Sequence, residues 1–295
     1  MQQAIQKASV LIEALPYIQR FRDAIIVVKF GGSAMEVPAN AQSVMADIAF
    51  MECAGMSPVI VHGGGKAISR GLTKQGIKSE FIQGLRVTSD ETIKVVEQVL
   101  VDEVGPAIVS LLTARGAKAA SINGKTVFKV IKKSELDAIT GKSVNWGLVG
   151  DPSEVDTDAI SALIADEIIP VISPLGIGPD NKTHNINADE AATAVARALK
   201  ARKLAFLSDV PGLLRNTSDP KSIISTLTIT DVDKLIKEGV IAGGMLPKVR
   251  SAIAALEAGV KKIHIVDGRM PHSLLLEIFT DQGVGTEIVG SSRGL

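Results

Sequence analysis

The amino-acid sequence predicts an α/β sandwich built on a largely parallel sheet. Strand-like apolar runs alternate with helical patterns along almost the whole length. The runs consist of Val, Ile, Leu and Ala: hydrophobic residues fill 46% of the 295 positions and aromatic residues only 3%, with Trp146 and Tyr17 the single members of their kinds. Aliphatic strands of that sort suit a sheet covered by helices on both faces. Glycine clusters stand where strands end or helices begin, which is where open α/β sheets bind ligands.

The elements follow in order. Residues 5–22 carry Leu11, Leu15, Ile18 and Phe21 at helical spacing, interrupted by Pro16, which predicts a kink or a break. Residues 24–30 read as a buried strand ending in a glycine loop. A helix over 41–55 leads to a strand over 58–62. Helices follow over 66–76 and 89–104, with another over 106–115. The stretch 118–150 reads as short β segments with turns at Asn123-Gly124, Thr140-Gly141 and Asn145. A helix over 156–166, a strand over 168–173, a polar turn over 184–187 and a helix over 188–201 come next. A second set begins near residue 203: a strand over 203–208, a turn at Pro211-Gly212, helices over 230–238 and 247–259, a strand over 262–266, a helix over 271–279 and a strand over 285–289. This arrangement places a boundary near residue 200.

Composition excludes several classes of function. Lys plus Arg and Asp plus Glu number 32 each, so the formal net charge is zero and a general nucleic-acid surface is not expected. One cysteine, Cys53, excludes an internal disulfide and a cysteine-cluster metal site. No apolar segment reaches membrane-spanning length, and the start of the chain lacks the order of a signal peptide. The expectation is a soluble chain in a reducing, cytoplasmic setting, without a membrane or nucleic-acid partner.

Three glycine clusters carry the chemistry: VVKFGGSAM (27–35), VIVHGGGKAI (59–68) and AGGMLPKV (242–249). Lys29 leads the first and Lys248 trails the third. Glycine lets backbone approach a ligand closely, and successive N–H groups at such turns form an anion cradle beside a helix N-terminus. Two cradles with two lysines describe a site for a nucleoside triphosphate handing its phosphoryl group to a second anion. The Gly63-Gly64-Gly65-Lys66 run is not a P-loop, because Ala67 follows the lysine and the earlier glycine is missing. Asp151, Glu154 and Asp156 form an acidic stretch that reads as a solvated turn rather than a metal site.

Seven segments together resemble the amino acid kinase family and, within it, the acetylglutamate kinases. They are VVKFGGSAM (27–35), VIVHGGG (59–65), GLRVTSDET (84–92), NINADEAA (185–192), LSDVPGLL (207–214), GGMLPKV (243–249) and HSLLLEIFTDQGVGTEIVG (272–290). The combination of GLRVT, NINADEAA and LLLEIFTDQGVGT is what resembles the acetylglutamate branch. The resemblance implies an open αβα sandwich, the amino acid kinase fold. Residues 1–22 would be a kinked oligomerisation helix, 23–200 the lobe for the acyl acceptor, and 201–295 the ATP lobe ending in a regulatory segment. It implies transfer of a phosphoryl group from ATP, with Mg²⁺, to the γ-carboxylate of N-acetyl-L-glutamate, giving N-acetyl-L-glutamyl 5-phosphate and ADP in arginine biosynthesis.

Such an acceptor is already ionised at neutral pH, since a glutamate-like acid has a pKa of about 4.3. No general base is needed, and His62 reads as structural. Positioning and charge stabilisation carry phosphoryl transfer instead. By resemblance, Lys29 would hold the transferring group, Lys248 the γ-phosphate or leaving side, and Asp189 would orient both. Gly32 and Gly64 would donate backbone N–H groups to the moving phosphoryl. Arg86 would clamp the acceptor's α-carboxylate, with Gly64, Gly65 and Asn185 also on the substrate side. Gly31, Ser208, Asp209 and Gly243 would join Lys29, Gly32 and Lys248 on the nucleotide side. No side chain is expected to ligate the metal, which ATP and water would hold.

The two ends of the chain resemble the arginine-inhibited acetylglutamate kinases, in which the N-terminal helix interlaces dimers into a hexamer and arginine binds beside it. That implies a homohexamer, a trimer of dimers, with Tyr17, His272, Glu277 and Gly283 as effector residues. Relatives in photosynthetic lineages also bind a PII signalling protein, which leaves that partner open. Two other readings stand beside this one: a kinase of the family with another acceptor, such as glutamate, aspartate, carbamate, an aminoadipate derivative or UMP, or a catalytically silent arginine or nucleotide sensor.

Overall fold

The computed structural model describes residues 2–136, 143–216, 218–241, 245–280 and 283–290. Helix α1 (Gln2–Phe21) and strand β1 (Ile25–Phe30) are followed by α2 (Ser33–Glu36), α3 (Pro38–Cys53), β2 (Ser57–His62) and α4 (Gly65–Lys74). A short hairpin of β3 (Phe81–Ile82) and β4 (Leu85–Arg86) precedes α5 (Asp90–Gln98), a π-helical turn (Val99–Val104) and α6 (Gly105–Thr113). Then come β5 (Ala119–Ile122), β6 (Phe128–Lys132), β7 (Glu135–Leu136), β8 (Ser143–Val144), β9 (Gly150–Val155), α7 (Asp158–Ala165), β10 (Ile169–Ile172), β11 (Leu175–Ile177), β12 (Thr183–Asn185) and α8 (Ala188–Ala198). The last part holds β13 (Lys203–Ser208), β14 (Thr226–Thr228), α9 (Ile229–Lys237), α10 (Met245–Glu257), β15 (Lys262–Asp267), α11 (Ser273–Phe279) and β16 (Thr286–Val289).

Eight strands form one sheet in the order β14-β16-β15-β13-β1-β2-β10-β5. All neighbours are parallel except β15 and β16. β1 lies between β2 and β13, with Lys29 level with Val61 on one side and Phe206 on the other. The sheet therefore runs unbroken across the boundary expected near residue 200. Strand alternation divides two cores. Ile26, Val28 and Phe30 of β1 pack with α3 and α6 on one face, and Val27 packs with α8 and α10 on the other. No helix among the described residues is long and apolar enough to cross a membrane.

The structure departs from the sequence expectations in identifiable places. Helix α1 continues through Pro16, so the break, one of the two expectations there, does not occur; proline removes one donor, and on a helix with one face in solvent that loss does not end the ladder. The helices expected over 89–104 and 106–115 abut without a loop. Gly105 N–H reaches back five residues to the Leu100 carbonyl, so the ladder re-registers just before Pro106, which has no N–H to give. Part of the middle segment forms a second sheet in the order β12-β11-β6-β9. The acidic stretch at Asp151 and Glu154 is strand β9 rather than a turn, held by its pairing with β6. The turn expected at Thr140-Gly141 lies outside the described residues. Strands β3, β4 and β14 were too short for periodicity to reveal.

Two contacts tie these outer parts to the main body. Trp146 is buried, and its indole N–H donates to the Ile82 carbonyl at 3.0 Å, fixing the β3–β4 hairpin. Lys133, only 7% exposed, stands 2.8 Å from Asp151 and 3.3 Å from Glu190, joining the second sheet to the first turn of α8. Burial pushes the Glu190 carboxyl up from its ordinary 4.5 to about 7; Lys133 pulls it back and Asp151 pushes it further. A carboxyl with a raised folded-state value stabilises fully below its unfolded pKa, and that contribution is lost as pH rises through the folded one.

Trp146→Phe removes the indole hydrogen bond to the Ile82 carbonyl, and the expected loss is about 0.5–1.5 kcal/mol in urea denaturation followed by circular dichroism. For the Glu190 cluster, stability of the native chain should fall as pH rises from about 4.5 to 7. In Glu190→Gln that slope should flatten, which thermal unfolding across the same range would read.

Candidate active site

Three glycine-flanked elements meet at the carboxyl ends of β1, β2 and β13. The period of β1 puts Lys29 on the Val27 face, toward α8. Asp189 stands in the first turn of α8, which Asn187 caps: its Oδ1 accepts the Asp189 N–H at 2.8 Å and the Glu190 N–H at 3.3 Å. Lys248 comes from the first turn of α10, on the same face of the sheet. The three side chains converge. Lys29 Nζ lies 3.0 Å from Asp189 Oδ1 and Lys248 Nζ 2.7 Å from Asp189 Oδ2. Lys248 also sits 5.0 Å from the centre of the Phe206 ring.

Burial alone would raise the Asp189 pKa, but the charges of Lys29 and Lys248 outweigh it and hold the carboxyl down at about 2. For Lys248, burial and the neighbouring Lys29 charge push downward and Asp189 pulls upward; the net direction is down. One carboxylate thus bridges two ammonium groups.

The glycine loops complete this end. Gly32 takes φ of 65° as N-cap of α2, a conformation L side chains rarely adopt. Gly64 is forced by packing: a Cβ there would stand 2.6 Å from the Leu100 side chain. A cleft of ≈ 400 Å³ opens here, lined among others by Lys29, Gly32, Gly64, Arg86, Asn185 and Asp189. Arg86 is 6% exposed and lies 4.6 Å from the centre of the Phe81 ring. It donates to the Gly65 carbonyl at 2.8 Å and to Ser69 Oγ at 2.9 Å, and also to Ser79 Oγ. A guanidinium has five N–H groups, so donors remain for a ligand. Asn185 is tied by its N–H to the Leu148 carbonyl at 2.9 Å, at the cleft wall.

Ser208 ends β13 beside the β1 loop and Asp209 follows it, with the Ser208 carbonyl accepting the Gly268 N–H at 2.9 Å. They do not line the cleft; the charge of Asp209 is felt by Lys248. Gly31 follows β1, and a Cβ on it would lie 3.5 Å from Lys29 Nζ. Gly243 lies outside the described residues. Among the described residues no group of three or more His, Cys, Asp or Glu side chains could hold a metal ion.

A second cavity of ≈ 480 Å³ opens at the other end of the strands. It is lined by Tyr17, Lys203, His264, Glu277, Gly283 and Glu287, among others. Three of the four expected effector residues meet there, and His272 does not. Instead His272 stands at the N-cap position of α11, with ring Nδ1 2.7 Å from Asp47 Oδ1 and its backbone N–H donating to Ser43 Oγ at 3.0 Å. His264 occupies the cavity: Nδ1–H donates to Glu277 Oε1 at 2.7 Å, while the backbone N–H groups of Val284 and Gly285 donate to Oε2, each at 2.8 Å. Burial would raise the Glu277 pKa, but these bonds hold it below its ordinary value. Burial pushes the Lys203 ammonium down to about 8. Lys203 opens the strand whose other end is Ser208.

Lys133, Asn187, Lys203 and His264 were not singled out from sequence. Asn187 follows from a capping argument at the start of the 188–201 pattern, and the other three depend on neighbours distant in sequence.

The family model described as "Amino acid kinase family" matches residues 24–267. An acetylglutamate kinase from Carboxydothermus hydrogenoformans is 49% identical over 290 residues, covering 97% of this chain and 99% of the relative. Among solved structures, N-acetylglutamate synthase from Neisseria gonorrhoeae, complexed with coenzyme A and N-acetyl-glutamate, is similar with a TM-score of 0.82 at 26% identity. The match covers 97% of this chain but 64% of that longer one. The same synthase complexed with coenzyme A and L-arginine gives a TM-score of 0.78 over 96% of this chain and 65% of that one. A glycine-cradled cleft at the carboxyl edge of a mostly parallel sheet, a family model spanning most of the chain and a full-length relative at this identity agree: the chain belongs to the amino acid kinase family.

Proposed function

We propose that this chain is an acetylglutamate kinase, transferring the γ-phosphoryl group of ATP to the γ-carboxylate of N-acetyl-L-glutamate. The observation that carries the reading is the Lys29–Asp189–Lys248 bridge, two of whose members line a cleft that Arg86 also lines. In the reaction a carboxylate oxygen of the acceptor bonds to the γ-phosphorus, the bond to the β-γ bridging oxygen breaks, and ADP departs with that electron pair. The acceptor is ionised already, so no proton need be removed. Two anions must instead be held in line against their repulsion.

Asp189 keeps the two ammonium groups apart and aimed. Lys29, beside the β1 loop, would meet the transferring group, and Lys248 the side where charge builds on the departing phosphate. Backbone N–H groups of Gly32 and Gly64 would complete the cradle. Arg86 would take the α-carboxylate with its remaining donors, and Asn185 would orient the acceptor. On this assignment the acceptor sits with residues 23–200 and ATP with residues 201–295, where Ser208, Asp209 and Lys248 lie. Mg²⁺ would arrive with ATP and offset phosphate charge. Asp189 is occupied by two lysines, which fits an ion held by phosphate oxygens and water. A cytoplasmic setting goes with this role.

The second cavity is assigned to arginine as a feedback ligand. Glu277 suits a cationic group and Lys203 a carboxylate, so an amino acid with a basic side chain fits both ends. The buried Nε2 of His264 has no hydrogen-bond partner among the described residues, as expected of a group reserved for a ligand. Helix α1 exposes Ile5, Val10, Ile12 and Leu15. A second copy of the helix is the proposed cover, which would build the interlaced hexamer.

The first measurement is ADP release with Mg-ATP and N-acetyl-L-glutamate, with unacetylated glutamate in parallel. Turnover that requires the acetyl group is expected; preference for any other acceptor overturns the reading. Lys248→Met should lower kcat by about 10²–10³, the scale of one lost transition-state contact. Arginine should slow the native enzyme. Glu277→Gln should weaken that inhibition about 10- to 100-fold, the worth of a charged hydrogen bond, with uninhibited turnover kept. Deleting residues 1–20 should leave kinase activity and reduce the particle seen in sedimentation; a hexamer surviving the deletion would refute the helix assignment.

A further inference from the structure

His62 ends β2, immediately before Gly63 and Gly64. Its ring is 1% exposed, and Nδ1 lies 2.9 Å from the carbonyl oxygen of Gly63. Burial pushes its pKa down to about 4, so the ring is neutral at ordinary pH and carries one N–H. A carbonyl only accepts, which assigns that proton to Nδ1. The Gly63–Gly64 peptide is trans, as the described chain contains no cis bonds. In a planar trans peptide the C=O and the N–H point in opposite directions. Holding the Gly63 oxygen against the ring therefore fixes where the Gly64 N–H points.

A peptide between two glycines needs such a fixture. Neither residue has a side chain to resist rotation, and glycine allows backbone conformations closed to other residues. The surroundings make the fixture rigid. The Leu100 side chain of the π-helical turn fills the space where a Gly64 Cβ would be. Gly105 packs beside the ring: a Cβ there would meet His62 Nε2 at an ordinary contact distance of 3.6 Å and would crowd Ser121 Oγ at 2.8 Å. The π-helical turn, a feature frequent at functional sites, thus backs the loop while Gly64 itself lines the cleft.

We propose that His62 is a positioning residue, clamping the Gly63 carbonyl so that the Gly64 N–H is aimed at the phosphoryl group in flight. The inference rests on the kinase reading of Gly64. It assigns the ring no proton transfer and no contact with substrate.

Two substitutions and one spectroscopic measurement test it. His62→Leu removes the donor while keeping apolar bulk, and His62→Asn places an amide N–H near the position of Nδ1. His62→Leu should lower kcat about 10- to 100-fold, less than deleting a donor outright, with KM for ATP and N-acetyl-L-glutamate within about 3-fold of native. His62→Asn should recover most of kcat even where its thermal stability matches that of His62→Leu. A His62→Asn enzyme as slow as His62→Leu, or a loss confined to KM, overturns the proposal. Nitrogen-15 NMR of the native chain reads the tautomer directly and needs no folded variant: a ring protonated at Nδ1 supports the clamp, and one protonated at Nε2 overturns it. Absence of any native turnover would condemn the kinase reading, whereas the tautomer would still report on the clamp.

Discussion

One carboxylate between two ammonium groups governs the architecture of the cleft. Asp189 is reached by Lys29 from the central strand and by Lys248 from a helix of the C-terminal part. Without the carboxylate the two cations would repel each other in a partly buried space, and removing one partner of a buried charge set costs about 3–5 kcal/mol. The lysines in turn hold the Asp189 carboxyl down at about 2 and so keep it ionised at neutral pH, because their charges outweigh its burial. The arrangement stores positive charge where a triphosphate would lie, before any ligand arrives. This preorganisation is what phosphoryl transfer to a carboxylate needs, since neither partner has to be activated by proton transfer.

The rest of the molecule can be understood as holding that bridge. The alternation of β1 sends Lys29 toward α8, Asn187 fixes the turn that carries Asp189, and Lys133 ties the neighbouring Glu190 to the second sheet. Trp146 performs the matching task for the hairpin bearing Arg86. Each of these is a polar contact inside an otherwise aliphatic structure. With so few aromatic residues, packing comes from branched aliphatic side chains, and orientation from a small number of buried hydrogen bonds.

Much of this was legible in the sequence for physical reasons. Aliphatic runs bounded by glycine reveal buried strands, so the main sheet and most helices could be read directly. Lys29, Lys248 and Asp189 stand next to glycine clusters or a helix start, where local sequence already points to an anion site, and the roles proposed for them come from the resemblance. Legibility ended where a role depends on a neighbour far along the chain. His264 looks like one polar position in an apolar strand; only the approach of Glu277, thirteen residues later, distinguishes it from His272. Lys133 meets Glu190 across 57 positions, a pairing no periodicity encodes. The Leu100–Gly64 contact that accompanies the π-helical turn likewise depends on tertiary packing.

Strand β13 begins at Lys203 in the second cavity and ends at Ser208, at the end of the sheet that carries Lys29, Asp189 and Lys248. Its six residues span about 17 Å at the usual rise of a parallel strand. The second cavity and the end proposed for nucleotide therefore lie at the two ends of a single stiff rod clamped by β1 on one flank and β15 on the other. A rod of this kind does not absorb a push along its length. On the proposed assignment, whatever settles against Lys203 would bear on the nucleotide side through this one strand.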